Sequence, residues 1–132
     1  MKGENLDWLW EFTGVILVDR SGKAEVTGVR TAMATLRQGT AVGIFPEGKL
    51  RTTPTELNTF LPGVGLIVCR SNALILPAVI RGTPFCQSSW GSLAEPSRSS
   101  VEFKPVLDPR ELGWKTGELA GNLERLYRSW LA

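Results

Sequence analysis

The chain has 132 residues, 42% of them hydrophobic, which is the size of one ordinary domain. Its 15 Lys and Arg stand against 13 Asp and Glu, a net charge of +2 with no block of like charge, so no nucleic-acid tail is expected and any cationic function is local. Histidine is absent, which closes Ser-His, Cys-His and zinc-hydrolase chemistry within these residues. Cys69 and Cys86 lack C-x-x-C spacing, and two free thiols in a reducing compartment is a simpler reading than a disulfide. No run reaches the roughly 18 to 20 apolar residues of a membrane span, and "MKGENLDWLW" lacks the apolar core of a signal peptide.

In chain order, "NLDWLWEFTG" places Leu6, Leu9, Trp10 and Thr13 on one helical face. Gly14 to Asp19, "GVILVD", is a short apolar run that predicts a buried strand. "AEVTGVRTAMATLRQG" follows, with Val26, Val29, Met33 and Leu36 near helical spacing and Gly39 as a stop. "TAVGIF" is a second apolar run ending at Pro46. Strand, helix and strand at these lengths predict a right-handed crossover and a parallel pair.

"LPGVGLIVCRSN" predicts a buried helix beginning at Pro62, despite Gly63 and Gly65. "ALILPAVI" predicts a third strand in which Pro77 lacks a ladder hydrogen bond, the mark of a strand end or bulge. Arg81 to Ser100 is dense in Gly, Pro and Ser and predicts a long loop. "VEFKPV" is a short last strand. From Thr116 to Leu131, Leu119, Leu123, Leu126 and Trp130 recur every three or four residues, an amphipathic helix with Thr116 as its N-cap. The fold class is therefore α/β, a mostly parallel sheet with crossover helices. A first strand already flanked by helix leads us to expect that the sheet is truncated at its N-terminus.

The chemistry-bearing stretch is "GIFPEGKL", Gly43 to Leu50. Seven residues fit the phosphate-loop pattern G-x-x-x-x-G-K, but Leu50 stands where a magnesium-binding hydroxyl is needed, Pro46 removes an amide donor, and Glu47 points a negative charge at the nucleotide. The alternative is a strand end followed by a polar turn, at the crevice where open α/β sheets bind ligands. Gly48 then permits an unusual backbone angle, Lys49 and Arg51 supply cations, and Glu47 orients one of them. Arg20, at the carboxyl end of the first strand, converges with Lys49 on a small anion if the two strands are neighbours. The plain competing account is an Asp19–Arg20 surface pair with Lys49 and Arg51 solvated.

"GVILVDR", "IFPEGKLR" and "LILPAVIRGTP", in this order and at these separations, resemble the glycerophospholipid acyltransferase family, the lysophosphatidate acyltransferase-like enzymes. Arg20 matches the arginine that ends the family's second block, Phe45 to Gly48 match its F-P-E-G block, and Pro77 matches the proline of its fourth. Two departures stand out. F-P-E-G continues as Lys49, Leu50, Arg51 instead of Thr-Arg-Ser, and the first block, His-x-x-x-x-Asp, is missing.

The resemblance implies a glycerol-phosphate acyltransferase-like fold and acyl transfer from acyl-CoA or acyl-carrier protein to a lysophospholipid or glycerol-phosphate hydroxyl. Arg20, Glu47, Gly48, Lys49 and Arg51 would hold the acceptor phosphate, and Pro77 would line the acyl or acceptor channel. The acyl thioester is a co-substrate, and neither a further cofactor nor a metal is implied. We expect a single partial acyltransferase domain over 1–132, located in the cytoplasm and peripheral to the inner face of the membrane, with no nucleic-acid partner. Without the histidine base, worth typically 10²- to 10⁴-fold, little turnover is expected of these residues alone. A noncatalytic domain that binds a phosphate-lipid or an acyl thioester is the other reading. Trp8 and Trp10 read as sheet cover or as interface residues, and Cys86 and the loop serines as inert for want of a base.

Overall fold

A computed structural model describes residues 23–49, 56–84 and 96–132. Arg20, Arg51, Cys86, the Gly14 to Asp19 run and the Trp8–Trp10 segment lie outside the described residues. The chain divides into two compact units, Met1–Val42 and Gly43–Ala132.

The first unit contains helix α1, Lys23–Arg37, which ends just ahead of Gly39 as the sequence predicts. Its buried positions are Gly28 and Ala32, one turn apart, with Val29, Met33 and Leu36 half-buried beside them. The small residues thus mark the centre of the covered stripe and the larger apolar ones its flank. Thr31 and Thr35 each turn the hydroxyl back onto the carbonyl four residues earlier, at 3.0 Å, which satisfies it within the helix.

The second unit holds helix α2, Gly63–Ser71, strands β1, Ala78–Arg81, and β2, Ser100–Phe103, and helix α3, Thr116–Leu131. Its core is Phe60, Val68, Leu119, Ala120 and Leu123, ringed by half-buried side chains that include Leu57, Val64, Ile75, Leu107, Trp114 and Tyr127. Leu119 is fully buried at 0% exposure and Leu123 lies one turn on, so the predicted stripe of α3 is the face that meets α2. Burial of a leucine of this kind contributes about 1.5 to 3 kcal/mol. α2 comes close enough that a Cβ on Gly65 would strike the Thr116 carbonyl. Glycine at 65 therefore serves the packing of the helix pair, although it lowers helix propensity.

One expectation is corrected here. Thr116 is the first helical residue and not the cap; Lys115 occupies the cap position in an extended conformation, with no side-chain hydrogen bond. The helix starts where the Thr116 carbonyl abuts Gly65, so packing and not capping fixes its first turn. The sheet is described in part, since the first strand of the predicted parallel pair, Gly14 to Asp19, lies outside the described residues. Helix and strand are mixed as an α/β class requires, but the described sheet has two strands, β1 and β2, and they are antiparallel. Thr40–Phe45 forms no ladder among the described residues.

Register places Ala78 opposite Phe103 and Arg81 opposite Ser100, and an isolated bridge joins Ile75 to Leu107. Pro77 lies between bridge and ladder. It accepts the Lys104 N–H at 2.9 Å and returns none, the missing bond that the sequence predicts. Because Pro77 and Lys104 meet at a hydrogen-bonded position, Ala78 directs its N–H and C=O away from β2. The Tyr127 hydroxyl of α3 takes both, accepting the N–H at 3.1 Å and donating to the carbonyl at 3.3 Å. Tyr127 stacks edge-on between Phe60 and Trp130, with ring centroids 5.3 and 5.2 Å away, and Lys104 Nζ lies 5.6 Å from the centre of the Trp130 ring.

Candidate functional site

The F-P-E-G block folds as a β-turn. Gly48 N–H donates to the Phe45 carbonyl at 3.1 Å, and Pro46 holds the second position, where its fixed φ suits a turn. Gly48 has φ of 62°, a left-handed angle that costs glycine little and any residue with a Cβ considerably more. A Cβ there would also run into the Leu61 side chain. The turn presents Gly48 and Lys49 to solvent, and Phe45 before it is 78% exposed.

Pro46 and Glu47 are half-buried because the chain returns beside them. The Pro46 carbonyl accepts the Leu61 N–H at 2.8 Å, and Glu47 Oε2 accepts the Asn58 N–H at 2.8 Å. Residues 57–61 are in turn gripped by α3 from the other side. Phe60 N–H donates to Glu124 Oε2 at 2.9 Å, and Arg128 donates to the Leu57 carbonyl at 3.1 Å. Arg128 also forks onto Glu124 Oε1 at 3.0 and 2.8 Å. The Phe60 amide first, and the Arg128 guanidinium next, hold the Glu124 carboxyl below its ordinary value, since both favour the charged form.

Of the predicted site residues, Glu47, Gly48 and Lys49 share this turn. Glu47 uses one carboxylate oxygen on the Asn58 amide, so it ties the turn to the returning segment 57–61. Pro77 is fully buried at the start of β1, and no hydrogen bond joins it to the turn among the described residues. The residues that sequence reasoning missed are Glu124 and Arg128. Their i,i+4 spacing reads in the sequence as a surface ion pair, and nothing local signals that both reach backbone groups more than sixty residues earlier.

A cavity of about 280 Å³ opens elsewhere in this unit, lined by Val68, Cys69, Asn72, Arg110, Trp114 and Thr116 among others. Cys69 carries a free, half-buried thiol on its wall. Arg110 is bidentate to Asp108 at 2.9 and 2.7 Å, which pulls the Asp108 carboxyl down to about 2. No helix of the described residues is long and apolar enough to cross a membrane.

A family model described as "Acyltransferase" matches residues 2–81, more than half of the 132. The chain belongs to the acyltransferase family. Acyl transfer is the general chemistry this membership supports. The matched stretch takes in α1, the F-P-E-G turn, α2 and the whole of β1, and it ends at Arg81. β2 and α3, with Glu124 and Arg128, lie beyond it. No curated protein and no solved structure gives a match.

Proposed function

We propose that this acyltransferase domain serves phospholipid biosynthesis. It moves an acyl group from acyl-CoA or acyl-carrier protein to the hydroxyl of a lysophospholipid or glycerol phosphate, and these residues form the acceptor-phosphate-binding part. The observation that carries the reading is the Phe45–Gly48 turn. It exposes a cation, Lys49, next to a left-handed glycine, on a backbone hydrogen-bonded from its inner side. Arg20 and Arg51 complete the cationic set by resemblance to the family's blocks. Charge-assisted contacts contribute about 1.5 to 3 kcal/mol each, so two or three hold a phosphate monoester. Lys49 acts as a point charge where the family pattern supplies an arginine fork. The Pro77 strand lines the acyl or acceptor channel. The acyl thioester is the co-substrate, and the phosphate is held by side chains and backbone with no metal. A lipid acceptor places the work at the inner face of the membrane, which the domain meets peripherally from the cytoplasm.

Binding of lysophosphatidate to the chain, measured by calorimetry, tests the phosphate site. Arg20→Ala and Lys49→Ala should each raise the dissociation constant by about tenfold or more. Equal binding by all three proteins removes the site. The second reading, a noncatalytic binding domain, is favoured by one fact: no histidine is present to take the acceptor's proton. Lysophosphatidate binding without transfer of a radiolabelled acyl group from acyl-CoA or acyl-carrier protein supports that reading. Measurable transfer rejects it.

A further inference from the structure

We propose that Glu124 and Arg128 are positioning residues for the anion-handling turn: through the strap 57–61 they set where Gly48 and Lys49 stand. This rests on the reading of that turn as the phosphate site. Among the described residues, Ile44 and Phe45 are exposed and Thr40–Phe45 forms no ladder. The strap reaches the turn there through the amides of Leu61 and Asn58, which bond Pro46 and Glu47.

The strap itself has no secondary structure. Its end at Leu61 is tied to α2, whose Val64 N–H donates to the Leu61 carbonyl at 3.4 Å, and α3 holds the stretch before it. Glu124 takes the Phe60 N–H and Arg128 takes the Leu57 carbonyl, each one residue before an amide that faces the turn. Toward α3 the strap shows the backbone of Leu57 and Phe60; toward the turn it shows that of Asn58 and Leu61. A slip of one residue would turn the wrong amides toward Pro46 and Glu47. The Phe60 ring, buried in the core against Tyr127, sets the strap's depth, and the ion pair sets its register. Neither carboxylate nor guanidinium is required for α3 to bury its stripe, because Leu119, Ala120 and Leu123 do that. Arg128 holds the Glu124 carboxylate in place through the ion pair at 2.8 Å, so both members of the pair are needed at the strap.

The experiment follows amide hydrogen exchange by NMR together with calorimetric binding of glycerol 3-phosphate and lysophosphatidate, in the full chain. Glu124→Ala and Arg128→Ala should speed exchange at Asn58 and Leu61 by about tenfold while Val68 and Leu123 keep their protection. Both should weaken binding of either ligand by about tenfold, as Lys49→Ala does. Glu124→Gln, which keeps an oxygen for the Phe60 amide, should restore much of the exchange protection. If Glu124→Ala does not fold, Arg128→Ala carries the same two measurements.

Native exchange at Asn58 and Leu61 in the folded variants overturns the proposal, whatever the binding. Fast exchange with undiminished binding, while Lys49→Ala still binds weakly, also overturns it and leaves the phosphate site standing. If Lys49→Ala binds as the native chain does, it is the phosphate reading that falls, and exchange alone then decides the strap.

Discussion

The turn at Phe45–Gly48 and helix α3 are opposites within one compact unit. The helix buries Leu119, Ala120 and Leu123 in the core; the turn has an exposed approach, a left-handed glycine and an exposed lysine. Lys49, for which we propose the phosphate-binding role, therefore sits on an exposed turn, and the strap beside that turn is bonded to a helix far along the chain. The contrast teaches that a family's motif can end well before the structure that holds it in shape. Here the matched stretch ends at Arg81, and the supports come from Glu124 and Arg128.

The largest expected effect breaks the helix side. Leu119→Ala leaves a cavity at a fully buried position and should cost about 2 to 5 kcal/mol in urea unfolding. Such a loss loosens turn and helix together, and intact local exchange at Asn58 in that variant would separate the two regions. Gly48→Ala breaks the turn side alone. It forces a φ of 62° on a residue with a Cβ and crowds Leu61, at a cost of about 1 to 2 kcal/mol, with exchange at Leu61 affected before that in α3. Tyr127→Phe is comparable or smaller. It removes the hydroxyl shared by both backbone groups of Ala78 and should cost about 1 to 2 kcal/mol, read as a lower urea midpoint with the slope unchanged.

The smallest effect is a dependence on acid. The carboxyls of Glu124 and Asp108 have folded values below their ordinary ones, so the stability they contribute is fully present above the ordinary values of 4.5 and 3.8. It is lost as pH falls through the folded values, which for Asp108 is about 2. Thermal melts from pH 6 to 2 should fall below pH 4.5, and Glu124→Gln should flatten the upper part of that decline. A decline unchanged in Glu124→Gln would mean that the strap does not feel this charge.

The helices were legible because their signals are local. Pro62 opens α2 one residue ahead of Gly63, and Leu119, Leu123, Leu126 and Trp130 trace α3 from Thr116 to Leu131. Pro77 announced the gap in the ladder for the same reason, since a missing N–H is a property of one residue. The predicted parallel pair of Gly14–Asp19 with Thr40–Phe45 has its first strand outside the described residues, and strand pairing depends on a partner that periodicity does not name. At the site, Glu47, Gly48 and Lys49 were readable as a motif. Their supports were not, because Glu124 binds an amide that only the fold brings near.

Tyr127 has one more consequence. Its hydroxyl fills the place on the outer edge of β1 that a neighbouring strand would use at Ala78, imitating with one oxygen both halves of a backbone pairing. A strand arriving at that edge can pair freely only from Ile80 onward, or must first push the phenol aside. Among the described residues no strand lies on that edge, and the aromatic side chain acts as a doorstop against pairing at Ala78 that its removal would lift.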